Sequence, residues 1–272
     1  MGDRMGGLVG LTTIVHLRPR WDDCDAYGHV NNAMYLALVR SATDEGLRTL
    51  GAPGLSDDAR LAEIELAYKE PMGAGEEVDI QLRIRTRKDD ELVLSYDFVR
   101  DGRSYADATV RWALRAGSLG ADLPLPARDA GGAPFVMNHR VRSYEVGANG
   151  EAKPAAILQW LEHAIFGAAE TVGWNRERMR DTDFVTLQIG HHLALGAPAR
   201  DGDELRIESR LVEVRRVSGV WRHEVRRADG AIVALDDSRG AFLDLQGRIR
   251  PAPAGMLGAL LAGPAARAGA VT

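Results

Sequence analysis

Cysteine is almost absent: Cys24 is the single one in 272 residues. No internal disulfide can form, so a reducing, cytoplasmic compartment is expected. Long hydrophobic runs are also missing. None approaches the roughly 20 residues that a membrane helix needs, so no membrane association is expected. Residues 1–13 lack a charged-then-apolar signal pattern, and Gly6 breaks the myristoylation pattern that Met1-Gly2 would open. There is no excess of basic charge; the net charge is −5, which excludes an electrostatic case for nucleic acid. No Gly-x-Ser-x-Gly elbow occurs, which leaves the serine-hydrolase route unsupported. Neither Gly-x-Gly-x-x-Gly nor a Gly-x-x-x-x-Gly-Lys loop occurs, so no nucleotide cofactor is expected. What remains is 45% hydrophobic and 27% charged, the balance of an ordinary globular protein of one large or two medium domains.

The chain is organised around Trp21-Asp22-Asp23-Cys24-Asp25-Ala26-Tyr27-Gly28-His29-Val30-Asn31-Asn32-Ala33-Met34-Tyr35. A carboxylate, a glycine, an imidazole and two amides precede a strongly apolar segment. The pattern predicts a polar loop feeding a helix from about Ala33 to Leu50, with Asn31 or Asn32 as N-cap and Gly51 as stop. The helix is apolar almost all round, which predicts burial on most sides. A strand at 12–17 precedes the loop. Strands are expected at 61–70, 77–87, 91–100 and 103–114. Val78, Ile80, Leu82 and Ile84 alternate with polar residues, and Asp101-Gly102 marks a hairpin.

The second half repeats the plan: a strand at 139–146, a turn at Asn149-Gly150, a helix at 155–172 opened by Pro154 and stopped by Gly173. Strands follow at 183–195, 204–216, 219–227 and 231–245, with Asp229-Gly230 as a hairpin turn. Laying Gly28 on Gly150 also lays Ala33 on Ala155, Ala42 on Ala164 and Gly51 on Gly173 without a gap. Later, Gly75 falls on Gly202 and Val78 on Leu205. This is an internal duplication. The expected organisation is unit 1 at 1–116, a Gly/Ala/Pro-rich linker at 117–137, unit 2 at 138–250 and a loosely packed or disordered tail at 251–272.

A long apolar helix wrapped by an antiparallel sheet, in two copies, resembles the hot-dog fold. Asp25-Ala26-Tyr27-Gly28-His29-Val30-Asn31-Asn32 resembles the active-site loop of hot-dog thioesterases, both the 4-hydroxybenzoyl-CoA type and the plant acyl-ACP type. Arg142-Ser143-Tyr144-Glu145-Val146-Gly147-Ala148 resembles the opening of the other hot-dog unit in acyl-ACP thioesterases, where that unit comes first. The resemblance implies an α+β fold of two units packed as a double hot-dog, and hydrolysis of an acyl-CoA thioester. The alternatives are an acyl-ACP substrate or a non-hydrolytic acyl-thioester binder. Plant acyl-ACP enzymes carry an Asn two residues after the Asp, where this chain has Tyr27; that puts the acyl-CoA reading ahead.

Thioester hydrolysis needs a nucleophile or a base for water, and donors for the oxyanion. Asp25 is the candidate base or nucleophile. Free amides near Gly28 and Val30, at the positive end of the helix, are the expected oxyanion donors. The resemblance implies that His29 and Asn31 orient water or the carbonyl, and that Glu63 lies near a further acidic position. Some hot-dog thioesterases carry their acid on the central helix, which makes Glu162 a candidate in the pocket of unit 2. Unit 2 has Gly147 where unit 1 has Asp25, and Glu151 where it has His29. One site of the first type per chain is therefore expected, with unit 2 as a wall of its pocket. Adjacent His191 and His192 on a strand point to opposite faces, so no metal site is expected. Arg83, Arg85 and Arg87 share a strand face and are candidates to meet CoA phosphates or an acidic carrier. Association of chains into a homo-oligomer is a further expectation, since a unit's sheet edge and helix face want a partner.

Overall fold

The computed structural model describes residues 8–26, 28–57, 59–114, 131–253 and 255–262. The chain divides into two compact units, Met1–Asp122 and Leu123–Thr272.

Unit 1 contains β1 (Thr12–Leu17), α1 (Met34–Thr49), α2 (Gly54–Asp57), β2 (Arg60–Tyr68), β3 (Val78–Arg87), β4 (Glu91–Arg100) and β5 (Arg103–Ala113). The strands lie in the order β1-β3-β4-β5-β2, all antiparallel. One row across the sheet reads Val15, Ile80, Phe98, Ala106, Tyr68. This apolar face receives α1. The helix buries Tyr35, Leu36, Val39, Ala42, Thr43, Gly46 and Leu47, a stripe at helical spacing. Ser41, Glu45 and Arg48 are exposed. Burial is therefore along one face, not on most sides as the composition of the helix suggested. Gly46 permits the closest approach: a Cβ there would stand 2.9 Å from Leu82 Cδ1. The one polar insertion is satisfied. Trp112 Nε1–H donates to Tyr96 Oη (3.1 Å), Tyr96 and Thr43 Oγ1 share a hydrogen bond (2.8 Å), and Thr43 donates to Val39 O (2.7 Å). At Gly51 (φ +76°) the helix stops: Gly51 N–H donates to Arg48 O and Ala52 N–H to Leu47 O, a Schellman pair.

Unit 2 contains β6 (Phe135–Arg140), α3 (Pro154–Thr171), α4 (Arg176–Asp181), β7 (Val185–Leu195), β8 (Glu204–Arg215), β9 (Ser218–Arg227), β10 (Ile232–Leu243) and α5 (Met256–Ala262). Its order, β6-β8-β9-β10-β7, is that of unit 1 strand for strand. The row matching the one above reads Met137, Ile207, Val225, Ala234, Leu195. The helix stop also repeats: Gly173 (φ +80°) N–H donates to Glu170 O and Trp174 N–H to Ala169 O.

Four expectations change. The strand expected at 139–146 is β6, which ends at Arg140, and Ser143–Glu145 is a 3₁₀ turn. Glu145 causes the break: its carboxylate accepts from Arg142 N–H (2.7 Å) and Trp160 Nε1–H (2.8 Å) and meets His139 Nε2 (3.0 Å). The tail includes α5, whose Met256 and Leu260 are buried with Phe184, Trp221 and Phe242. The short helices α2 and α4 were not foreseen; α4 is capped by Asn175, which accepts from Arg178 N–H. Arg83 and Arg85 are exposed on β3, but a bulge between Ile84 and Thr86 sets Arg87 opposite buried Leu92. The three arginines thus do not share a face. Most of the expected linker, at 117–130, and the end of the tail, at 263–272, lie outside the described residues.

Candidate active site

The loop is held from both ends. Trp21–Asp23 forms a 3₁₀ turn in which Asp23 accepts from Arg20 N–H (2.7 Å) and from its guanidinium (2.9 Å). That guanidinium bond holds the Asp23 carboxyl below its ordinary range against the effect of burial. The chain then doubles back, with Cys24 bridging Val30 and His29 bridging Gly73. Asp25 N–H donates to His29 O (2.8 Å), Gly28 N–H to Asp25 O (3.0 Å), Asn31 N–H to Asp23 O (2.9 Å) and Val30 N–H to Met72 O (2.7 Å). Gly28 has φ +79°, which selects glycine. Asp25 Oδ1 accepts from His29 N–H at 3.2 Å. Asp25, Gly28 and His29 are exposed, while Val30 is buried. Tyr27 lies outside the described residues.

These bonds correct the expected oxyanion donors. The amides of Gly28 and Val30 are both spent inside the scaffold, one on Asp25 O and one on Met72 O. Among the described residues of the loop, the amides of Ala26 and Asn32 have no hydrogen-bond partner, and that of Asn32 is the one next to α1. Its neighbours are satisfied: Ala33 N–H donates to Asn31 Oδ1 (2.9 Å) and Met34 N–H to Asn31 O (2.9 Å). Asn31 therefore makes a side-chain turn just ahead of α1, whose N-cap is Ala33 with no side-chain cap bond, not Asn31 or Asn32 as expected. The Asn32 N–H stands at the positive end of a long helix, where negative charge is favoured. Tyr68, at the end of β2, donates its hydroxyl to Asn32 O at 2.9 Å. Burial and the charges of Asp23 and Asp25 push the Cys24 thiol up, away from the reactive thiolate.

Glu63 sits within β2 and is joined to Arg111 at 3.0 Å; the β2 residue that bonds to the loop is Tyr68. Glu162 is half-buried on α3, and its charge acts on His191. His191 is itself buried: Asp236 Oδ2 lies 3.0 Å and Ser238 Oγ 3.1 Å from its Nδ1. Burial works against the charged ring, but Asp236 outweighs it and raises the His191 pKa. A catalytic triad needs acid and hydroxyl on opposite ring nitrogens, whereas both here crowd one. Among the described residues no group of three His, Cys, Asp or Glu is placed to hold a metal ion.

The matching loop of unit 2 has the same backbone bonds. Val146 bridges Ala152, Gly147 N–H donates to Glu151 O (2.8 Å), Gly150 N–H to Gly147 O (2.9 Å), Lys153 N–H to Glu145 O (2.9 Å) and Ala152 N–H to Ala199 O (2.8 Å). Gly150 has φ +75°. Asn149 Oδ1 accepts from Glu151 N–H (3.2 Å), as Asp25 does from His29. Asn32 falls on Pro154, which has no N–H. Tyr68 falls on Leu195, in the same row of its sheet. Sequence reasoning did not single out the Asn32 amide or Tyr68. The signal was available for the first: the duplication already sets Asn32 against a proline.

Residues 19–126 match the family model of the thioesterase-like superfamily, and residues 154–234 that of the thioesterase superfamily. The chain thus belongs to the thioesterase superfamily through two hot-dog domains in tandem, and it is a thioesterase by class. Its fold is shared by a Lactobacillus plantarum protein described as an oleoyl thioesterase, at 12% identity and TM-score 0.68 over 86% of this chain and 97% of that one. An acyl-ACP thioesterase of Bacteroides thetaiotaomicron matches at 14% identity and TM-score 0.60 over 84% and 97%. The 12:0-ACP thioesterase of Umbellularia californica matches at 10% and 0.64 over 88% and 97%. No curated protein sequence matches significantly. No helix among the described residues is long and apolar enough to cross a membrane.

Proposed function

We propose that unit 1 hydrolyses an acyl-CoA thioester, with Asp25 as general base or nucleophile and the Asn32 amide as oxyanion donor. The observation that carries this reading is the internal comparison. Unit 2 keeps the backbone bonds of the loop but has Gly147 for Asp25, Glu151 for His29 and Pro154 for Asn32. The fold therefore needs neither the carboxylate nor that amide, and their presence in unit 1 calls for a chemical account. In the reaction a water oxygen, its proton passing to Asp25, or Asp25 itself bonds to the acyl carbon and the carbonyl oxygen takes up negative charge. The C–S bond then breaks and the departing thiolate takes up a proton. Where Asp25 has attacked, water hydrolyses the acyl–Asp25 anhydride to release the acid and restore the carboxylate. The first turn of α1 supplies a donor fixed in place before charge develops. His29, exposed beside Asp25, is positioned to meet water or substrate.

A second reading, hydrolysis of acyl-ACP, draws support from the fold shared with two acyl-ACP thioesterases over nearly their whole length. One assay separates the readings. Wild type and Asp25→Asn are compared on acyl-CoAs of short, long and aromatic acyl groups, with the same acyl groups on ACP. Thiol release from CoA esters that vanishes in the variant supports the proposal. Release from ACP esters alone moves the substrate to the carrier. Full activity in Asp25→Asn sinks the role of Asp25.

A further inference from the structure

We infer that Tyr68 is a positioning residue for the thioester site, acting through the peptide of Asn32. This inference rests on the reading of the loop given above. The Tyr68 hydroxyl donates to Asn32 O at 2.9 Å. The same oxygen receives only a long bond, 3.3 Å, from Tyr35 N–H in the first turn of α1. Asn32 is thus anchored on its carbonyl side mainly by a side chain from β2, while its N–H has no protein partner among the described residues. The anchor is itself stiff. The Tyr68 ring packs edge-on against buried Tyr35 at 5.2 Å, and Tyr35 packs on buried Phe98 at 5.4 Å. Past Tyr68 the chain runs on to Met72 and Gly73, which hold Val30 and His29. One strand end therefore fixes both the loop and the amide that follows it.

Unit 2 supplies the control. Its sheet keeps the row that Tyr68 occupies, with Leu195 in the same place and no hydroxyl. Its helix starts with Pro154 and has no amide to aim. The carboxylate, the unbonded amide and the hydroxyl that anchors it are present together in unit 1 and missing together in unit 2. A hydroxyl kept only for packing has no reason to follow the other two.

The test uses the full chain and an acyl thioester that the wild type hydrolyses. Tyr68→Phe removes the hydroxyl and keeps the ring; Tyr68→Leu copies unit 2. Tyr105→Phe is the control, since it deletes another hydroxyl bond, to Glu76 at 3.1 Å, and leaves the Tyr68–Asn32 bond in place. Both Tyr68 variants are expected to lower kcat about five- to ten-fold with KM unchanged, as for loss of one neutral hydrogen bond that matters in the transition state. Tyr105→Phe should leave kcat unchanged, and the thermal midpoint of Tyr68→Phe should fall no further than that of Tyr105→Phe. Asp25→Asn runs in parallel. Abolished turnover in Asp25→Asn with unchanged kcat in Tyr68→Phe overturns Tyr68 alone. So does a kcat loss that Tyr105→Phe reproduces. A wild type without hydrolysis, or an Asp25→Asn variant as active as wild type, overturns the loop reading and the role of Tyr68 with it.

Discussion

The two loops that open α1 and α3 are the same object in backbone and different objects in chemistry. Each begins in a 3₁₀ turn capped by an acid, Asp23 or Glu145, and doubles back through a bridge. Each closes on a left-handed glycine, Gly28 or Gly150. Even the amide that Asp25 satisfies, that of His29, has its counterpart in Glu151, satisfied by Asn149. A residue's contribution to folding can thus be separated from its contribution to reaction within one chain. The loop's conformation is carried by main-chain bonds, glycine and capping acids. What is left over in unit 1 is Asp25, His29, the Asn32 amide and Tyr68.

Asp25→Asn tests the comparison most severely. Asparagine keeps an oxygen to accept from His29 N–H, much as Asn149 does from Glu151, so the fold should hold. Turnover should fall by about 10²–10⁴-fold, the range for loss of a general base. A loss near tenfold would show Asp25 to be a loop residue like its counterpart. Asn32→Pro comes next. It transplants the unit 2 residue to the equivalent position, two residues ahead of α1, where Pro154 opens α3. With the amide removed, kcat should fall by about 10²–10³-fold, while Asn32→Ala, which keeps the amide, should stay within a few-fold of wild type. Equal kinetics for the two variants would remove the Asn32 amide from the mechanism.

The capping acids differ in reach, and this gives a smaller, purely structural test. Asp23 serves its own turn and Arg20. Glu145 also ties the turn to α3 through Trp160 and to β6 through His139. Glu145→Ala strands the part-buried Trp160 N–H and the Arg142 N–H, and should cost about 3 kcal/mol in urea unfolding. Asp23→Ala should cost about 1 kcal/mol, the usual loss for a cap. Equal costs would show that the extra reach of Glu145 contributes nothing.

Much of the fold was legible because its causes are local. Alternation in Val78 to Ile84 marks β3, and Gly51 and Gly173 end their helices by a conformation that glycine favours. What escaped depends on partners distant in sequence. Whether a loop amide stays free is decided by partners such as Met72, which takes the Val30 N–H, and Asn31, whose side chain takes that of Ala33. The Gly28 and Val30 amides expected to be free are accordingly bonded within the scaffold. The segment 139–146 reads as a strand until Glu145 finds Trp160 and His139. The bulge that turns Arg87 inward leaves no mark in the residues around it. Asp25, by contrast, stands out in the sequence itself, because its counterpart in the duplicate is Gly147.

The interiors offer the smallest test. Under α1 the buried polar groups are neutral, Thr43, Tyr96 and Trp112. Unit 2 instead buries His191, His223 and Asp236. His223 bonds through Nδ1 to Ser209 Oγ (2.7 Å), and its Nε2 has no partner. Burial lowers its pKa to about 4, against an ordinary value near 6.5. As pH falls from 6.5 toward 4, the unfolded chain takes up this proton and the native chain does not, so stability must fall. The slope is at most about 1.4 kcal/mol per pH unit, and the whole effect about 3 kcal/mol. His191 has the opposite sign: with its pKa raised, its contribution is complete below its ordinary value and fades only at higher pH, outside this window. The exposed histidines of unit 1, His16 and His29, are not buried in this way. Unfolding free energies of wild type and His223→Gln at pH 7 and pH 4.5 measure the difference directly, since the carboxylates are common to both. The wild type should lose about 2 kcal/mol more than the variant on acidification. An equal loss in the two proteins would show that His223 is protonated in the native interior or reached by water there.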